Sequence, residues 1–505
     1  MTSLLKLTTA LVLIVSSQTA LAHSVLAQTP AKIQTPAKAP AVAPATTPAA
    51  ATPVAVSPDL PRSPGLPFGV RALPDRIVLS PGADPARAMG VAFRTNTQQV
   101  VAEAQITEAV DSPTLERRAR LVTGTTAPLN SANGAAHYHQ VRFDNLTPDT
   151  VYAYRVRGSG GWSEWFQFRT ASATPEAFRV LYFGDTQNSI LSLGARAIRQ
   201  GFAEGRIDLA VHAGDLVALR DELNHDDEWG EWTATGGYNF AMIPQAPAPG
   251  NHEYVDALSP DGTETRVLGD HWPLQFALPA NGAPGAEKTT YFIDYQGTRL
   301  IILDGTSALD LGTLDQQTRW LESTLKSSKG HWTLVLFHQP IFTCARPNDT
   351  ERLKARWKPL FDRYNVDLVL QGHDHCYSRL TDPAGRDAAR AAQAAAKPQG
   401  PIYMVSVTGS KMYGLNDRAH TQPDKIAEDT SLYQVADVTP QKLTLRTYTA
   451  SGKLYDGFHL VRSDKGQKSV LSLDEPTLLT RHCTLAADGT RTGPDGGACT
   501  ARLKD

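Results

Sequence analysis

Five segments of this chain run apolar, turn sharply, and then present a carboxylate, an amide or an imidazole. They are "FGDTQ" with Asp185, "AGDLVA" with Asp215, "APGNHEY" with Asn251 and His252, "LVLFHQP" with His338, and "LVLQGHDHCYSR" with His373 and His375. Burying such groups together unpaired costs on the order of several kcal/mol, so these strand ends need a counter-charge or an open edge. In α/β sheets, ligands gather at the carboxyl ends of strands, where side chains from distant parts of the sequence converge. Each fragment alone is weak, because a Gly-Asp after a strand is usually a turn and an isolated His is more often a satisfied half-buried residue. In series they point to one site. Carboxylate, amide and imidazole donors together suit a pair of divalent or trivalent first-row ions, with one carboxylate bridging both.

The rest of the chain frames that site. Its 505 residues exceed one compact core and predict several domains. Residues 1–22 carry one Lys, a short apolar run and the small-residue triplet Ala20, Leu21, Ala22, the pattern of a secretory signal peptide. Ser16, Ser17 and Gln18 break that run, leaving it too short for a stable membrane span. Residues 23–66 are rich in Ala and Pro without periodicity, as in a disordered tether. Over 67–172, short strands such as "RIVLSPG", "MGVAFRT" and "HYHQVRF", separated by Pro and Gly turns, predict a β-sandwich of the fibronectin or immunoglobulin kind. Over 173–463, buried-looking strands alternate with helical segments such as "QQTRWLESTLKSS" and "ERLKARWKPLFDRY", predicting an α/β domain. Residues 464–505 form a polar, turn-rich tail.

With 49 basic and 51 acidic residues the net charge is −2, which gives no surface evident for nucleic acid. An exported chain with four cysteines is expected to be oxidised. The short turn-rich loop between Cys483 and Cys499 favours their pairing, leaving Cys344 with Cys376, although three pairings are formally possible.

The ordered set Gly-Asp, Gly-Asp, Gly-Asn-His-Glu, Val-x-x-His and Gly-His-x-His resembles the calcineurin-like metallophosphoesterases. With "LTPDTVYAYRVRG" and "WSEWFQF" ahead of it, the chain is similar to the purple acid phosphatases in particular, over about residues 67 to 462. The resemblance implies an αββα sandwich behind the β-domain, two metal ions (Fe, Zn or Mn), and hydrolysis of a small-molecule phosphate ester by metal-bound hydroxide. It gives one ion Asp185 and His375, gives the other Asn251, His338 and His373, and has Asp215 bridge them. His252 would act at the leaving oxygen as hydrogen-bond donor or general acid. Glu253 is expected to orient its neighbours, and Asp374 to support them by a hydrogen bond. His212 is expected to be structural, and His137 and His139 exposed.

The pattern also departs from the family. Where purple acid phosphatases carry the tyrosine whose phenolate binds ferric iron and gives the colour, this chain has Ala218. Where other metallophosphoesterases offer Asp-x-His, it has Asp185, Thr186 and Gln187, so the Gln187 amide oxygen is the remaining candidate donor for the first ion. At the family's histidine pair stand Ala345 and Arg346, and the planar fork of Arg346 is suited to a phosphate oxygen. "NHDDEWGEW", "GDHWPLQF" and "TGSKMYG" are expected among the pocket walls.

The leading expectation is a secreted or periplasmic phosphomonoesterase. A phosphodiesterase or nucleotide hydrolase would use the same metal chemistry. A cell-surface binding protein with a vestigial metal domain fits less well, because every expected metal donor is present.

Overall fold

The computed structural model describes residues 67–218, 226–258, 261–381, 400–463 and 468–500. The signal peptide and tether expected over 1–66 lie outside the described residues. No described helix is long and apolar enough to cross a membrane.

Between Asp75 and Arg169 the described strands form two stacked sheets. One runs, in spatial order, Asp75–Pro81, Met89–Asn96, Gly134–Phe143, Thr125–Ser131. The other runs Arg120–Thr123, Glu103–Glu108, Val151–Gly158, Gly161–Trp162, with Phe166–Arg169 also pairing with Val151–Gly158. Alternation along each strand sends Val91, Phe93, Val141 and Phe143 of one sheet against Ala104, Ile106, Tyr154 and Phe168 of the other. The aromatic edge at 161–168 is covered from two sides. Arg155 lies over the rings of Trp162 and Trp165, while Phe166 meets Tyr238.

His139 corrects one expectation. It is fully buried, held between the Thr95 and Thr126 hydroxyls at 2.7 and 2.9 Å and stacked on Phe93. Burial, with His137 beside it, lowers its pKa to about 4, so the ring is neutral. His137 is half-buried, against the Gln99 carbonyl at 2.7 Å. The alternation suggested one wet face, but Gly134–Phe143 is covered on both: His139, Val141 and Phe143 face the sandwich interior, while Gln140 donates to the Pro273 and Phe276 carbonyls beyond it.

From Phe178 onward two seven-stranded mixed sheets lie face to face. The first is ordered Gln245–Pro247, Leu209–His212, Phe178–Phe183, Leu432–Val438, Lys442–Thr449, Leu454–Arg462, Lys468–Ser472, its first three strands mutually parallel. The second is ordered Tyr291–Tyr295, Thr298–Ile302, Trp332–Leu336, Leu368–Gln371, Ile402–Val405, Tyr377–Thr381, Lys425–Ala427, parallel from Thr298–Ile302 to Ile402–Val405. Val180, Tyr182, Val211 and Ala246 of the first pack on Leu300, Ile302, Leu334 and Leu368 of the second.

Helices cover the outer faces. Helices α1 (Ala195–Phe202), α2 (Asp226–Gly236), α3 (Tyr238–Met242) and α4 (Trp272–Gln275) bring Ile198, Trp229, Trp232, Phe240 and Trp272 onto Leu181, Phe183 and Ala210. Helices α5 (Gly305–Asp310), α6 (Leu314–Lys326) and α7 (Glu351–Arg363) cover the second sheet. In α7, Leu353, Trp357, Leu360 and Phe361 recur at helical spacing and form the buried stripe. These are the four layers of an αββα sandwich. Lys468–Ser472 pairs with Leu454–Arg462, so the first sheet runs past the boundary expected at 463.

"NHDDEWGEW" and "GDHWPLQF" are not simply pocket walls. Asp226, at the start of α2, is 1% exposed and sits where the β-sandwich meets the αββα layers. Arg76 donates Nη1 and Nη2 to its two carboxylate oxygens, each at 2.7 Å. Arg94 Nη1, Asn133 Nδ2 and His271 Nε2 donate to it as well, at 3.2, 2.7 and 2.7 Å. Asp75 occupies the rest of the Arg94 fork at 2.7 and 2.8 Å. Burial opposes the charge on Asp226, but the His271 hydrogen bond and the Arg76 guanidinium hold its carboxyl far below the usual carboxylate range.

Asp226→Asn leaves the buried Arg76 guanidinium without its carboxylate and takes one of two carboxylates from Arg94, and we expect it to remove about 3–5 kcal/mol from the unfolding free energy at neutral pH, read by urea titration. Because the folded pKa is depressed, the contribution is complete above the unfolded value of about 3.9 and is lost as the pH falls through the folded value. The gap between wild type and variant should therefore narrow below about pH 4.

Candidate metal centre

All five motif-bearing turns leave the carboxyl ends of mutually parallel strands. Asp185 follows Phe178–Phe183, Asp215 follows Leu209–His212, and Asn251 follows Gln245–Pro247 in the first sheet. His338 follows Trp332–Leu336, and His373 and His375 follow Leu368–Gln371 in the second. Two glycines let these turns approach one another. A Cβ at Gly250 would lie 2.1 Å from Asp215 Oδ1, and one at Gly372 would lie 2.2 Å from Asp185 Oδ2. Asp185, Asp215, His373 and His375 all adopt positive φ, at 24, 51, 73 and 49°. Such backbone costs on the order of 1–3 kcal/mol per residue and persists where the surroundings over-determine it.

The side chains converge in two overlapping groups. Asp215, His338 and His373 bring donor atoms within 4.8 Å of one another, and so do Asp185, Asp215 and His375. Asp215 belongs to both. Its Oδ2 lies 3.0 Å from His338 Nε2. Asp185 Oδ1 lies 3.6 Å from His375 Nε2 and 4.0 Å from His338 Nε2, while its Oδ2 accepts the His373 N–H at 2.7 Å. A third group, Cys344, Asp374 and Cys376, has its sulfurs joined in a disulfide.

Backbone carbonyls fix the tautomers of three imidazoles. His338 Nδ1–H donates to Ala213 at 2.7 Å, His375 Nδ1–H to Lys411 at 2.8 Å, and His252 Nδ1–H to Ala218. Each leaves Nε2 toward the cluster, the usual arrangement of a histidine that binds a metal. His373 Nδ1 lies 3.0 Å from His338 Nε2, which also faces Asp215 Oδ2. The buried oxygens Asn251 Oδ1, Asp185 Oδ1 and Gln187 Oε1 have no hydrogen-bond partner. Acceptor atoms crowded together without donors are what a cation would satisfy, so the donor set fits metal ions.

The electrostatics carry the same strain. Burial pushes the Asp185 carboxyl up. It also opposes the charge on Asp215, but His338 and His252 hold that group well below the carboxylate range. Burial acts against protonated His338 too, yet Asp215 and Asp185 raise its pKa to about 9. Burial followed by Arg346 lowers His373, and burial followed by Lys411 lowers His375.

The other named residues have definite places. His252 N–H donates to Asp215 Oδ1 at 2.9 Å, and its Nε2 stands 3.9 Å from Asp215 Oδ2. Gln187 Nε2 donates to Asp215 Oδ2 at 2.7 Å and lies 3.2 Å from His375 Nε2. In this orientation the amide nitrogen faces the cluster, and a half-turn of the amide exchanges it for the oxygen. Arg346 Nη1 donates to Asp374 Oδ1 at 2.6 Å and to the His373 carbonyl at 2.8 Å. Asp374 Oδ2 accepts the Cys344 and Ala345 N–H groups at 2.7 and 2.8 Å, so this carboxylate ties the two loops together beside the disulfide. Glu253 accepts the N–H groups of Asp215, Gly250 and Leu216 at 2.9, 2.6 and 2.7 Å. His212 is packed among Phe183, Trp232 and Phe240, and its Nε2 lies 2.9 Å from Gln245 Oε1.

Three residues lie in segments expected among the pocket walls, but no motif assigned them a role. Glu228 on α2 accepts the Ala218 N–H at 2.7 Å and so anchors the carbonyl that holds His252. Lys411 and Tyr413, in "TGSKMYG", stand against His375. That segment follows the parallel strand Ile402–Val405, so it repeats the strand-then-glycine signature with a cation in place of a metal donor.

This fold and this cluster define the chain as a calcineurin-like metallophosphoesterase: residues 178–377 match the calcineurin-like phosphoesterase family. Residues 74–170 match the purple acid phosphatase N-terminal domain. The chain belongs to the purple acid phosphatase-like branch of that family. It is 29% identical over 342 residues to an uncharacterized protein of Mycobacterium tuberculosis, covering 59% of this chain and 63% of that one. It is 26% identical over 323 residues to a protein named Fe(3+)-Zn(2+) purple acid phosphatase 12 from Arabidopsis thaliana, covering 61% of this chain and 66% of the relative. The solved structure of PhoD shares the fold, with a TM-score of 0.55 and 12% identity over 85% of this chain and 94% of PhoD.

Glu253→Gln sets an amide donor among backbone N–H groups that now share one carboxylate. We expect it to destabilise the metal-free protein by about 1–3 kcal/mol in chemical denaturation, with Glu253→Asp unable to restore all three contacts.

Proposed function

We propose that this protein is an exported dimetal phosphohydrolase acting on phosphomonoesters. The observation that carries the reading is Asp215, a buried carboxylate shared by two donor groups beside the unpartnered Asn251 and Asp185 oxygens. Asp185 and His375 would hold one ion, Asn251, His338 and His373 the other, and Asp215 both, with Gln187 Oε1 completing the first. Bound ions supply Lewis acidity to a phosphoryl group and lower the pKa of water.

The chain's own residues then have separable tasks. His252, with Nδ1–H committed to the Ala218 carbonyl, has Nε2 as the atom that passes a proton to the departing alkoxide. Arg346 is held beside His373 by Asp374 and would bind a phosphoryl oxygen with the rest of its fork. Glu253 and Asp374 fix the backbone that carries these groups. The Arabidopsis relative's name includes a ferric and a zinc ion, but Ala218 offers no phenolate here. We therefore infer a centre of divalent ions. The two disulfides support a secreted or periplasmic location.

The test is reconstitution of chelator-treated protein with Zn, Mn or Fe, followed by turnover of para-nitrophenyl phosphate and its bis ester. We expect two ions per chain and a preference for the monoester, whereas a preference for the bis ester would make this a diesterase. Asp215→Asn should lose metal by elemental analysis and at least about a hundredfold in kcat. The most active form should show no intense visible absorption band. A strong band would return ferric iron to the centre.

A further inference from the structure

Lys411 and Tyr413 lie outside the donor set and form the wall on its His375 side. The Lys411 carbonyl holds His375 Nδ1–H at 2.8 Å, and the Tyr413 ring meets the His375 ring edge-on, with centroids 4.7 Å apart. Two cations converge on that same tyrosine. Lys411 Nζ lies 5.6 Å from the ring centroid, and the Arg346 guanidinium carbon, from the loop after His338, lies 5.8 Å from it. All three side chains are half-buried and remain open to solvent.

Their charges are not equivalent. Arg346 is offset by Asp374 at 2.6 Å. Among the described residues no carboxylate lies within ion-pairing distance of the Lys411 ammonium. A lysine that only solubilised the surface would not need its head drawn over an aromatic face. An unneutralised ammonium beside a site for one dianion is poised for a second negative group on the same molecule.

We propose that Lys411, backed by Tyr413 and Arg346, binds a second anion on the His375 side of the site, so that the preferred substrates are phosphomonoesters whose alcohol carries a carboxylate or another phosphate. This rests on the phosphomonoesterase reading above. Tyr413 contributes by holding the ammonium in place, and Arg346 by adding positive potential across the same opening.

The experiment compares 3-phosphoglycerate with glycerol 3-phosphate, which differ in a carboxylate against a hydroxymethyl group, on the metal-loaded full chain at fixed ionic strength. We expect kcat/KM about tenfold higher for 3-phosphoglycerate, carried by KM and shrinking as salt is added. Lys411→Met should bring the ratio close to one, and Lys411→Arg should keep most of it. Melting temperature and metal content, measured on each variant, should match wild type and so separate lost recognition from lost structure. A wild-type ratio near one, or a ratio unchanged in Lys411→Met, overturns the proposal while leaving the phosphomonoesterase reading intact. If metal-loaded wild type hydrolyses neither ester nor para-nitrophenyl phosphate, that underlying reading fails and takes the proposal with it.

Discussion

Two carboxylates and three imidazoles buried in one place have too few donors among themselves to satisfy every lone pair, and the architecture is arranged around that deficit. His338 Nε2 faces both Asp215 Oδ2 and His373 Nδ1 at 3.0 Å, and it can donate to only one of them. The fold holds this arrangement rather than relaxing it. Parallel strands from two sheets end at the same edge, positive-φ residues turn the side chains inward, and Gly250 and Gly372 leave room for the carboxylates. Free energy stored this way can be recovered by a ligand that brings positive charge. The αββα layers therefore act as a rigid frame for a site that is poorly satisfied without a cation.

The β-sandwich is coupled to that frame through a second buried charge. Asp226 begins α2, and two residues further Glu228 receives the Ala218 N–H, whose carbonyl in turn holds His252. A contiguous path of hydrogen bonds and the first residues of α2 thus runs from Arg76 and Arg94 of the sandwich to the His252 imidazole. Val78 of the sandwich is also part of the apolar cluster beneath α2. The sandwich is accordingly a structural partner of the site as well as a neighbour in sequence.

The strand-end residues that the structure brings together could be picked out in the sequence because each follows a short apolar strand and a tight turn, and those signals are local. The interdomain charge cluster could not. Asp226 lies in "NHDDEWGEW", which the sequence places only among the pocket walls, and its arginine partners come 150 and 132 residues earlier. His139 was misplaced for a related reason, since alternation shows that a strand has two faces but not that a second domain covers the outer one. The strand Leu432–Val438 escaped notice because a buried polar group blurs the pattern. There, Gln434 sits fully buried and donates to Ser406 Oγ at 2.7 Å.

Ala218 shows how a motif can lose a metal donor and keep its backbone contacts. A phenolate there would add a negative charge to the first metal position; the alanine leaves Asp185 and the shared Asp215 as the anionic donors among the residues proposed to hold that ion. A donor set with less negative charge favours ions of lower charge, because a trivalent ion would keep more of its charge unneutralised in a buried place. The backbone at the same position is still fully used, accepting from His252 and donating to Glu228. What the side chain gave up in metal preference, the peptide group retains in imidazole orientation, so the proton-handling atom stays aimed at the cluster whichever ions fill it.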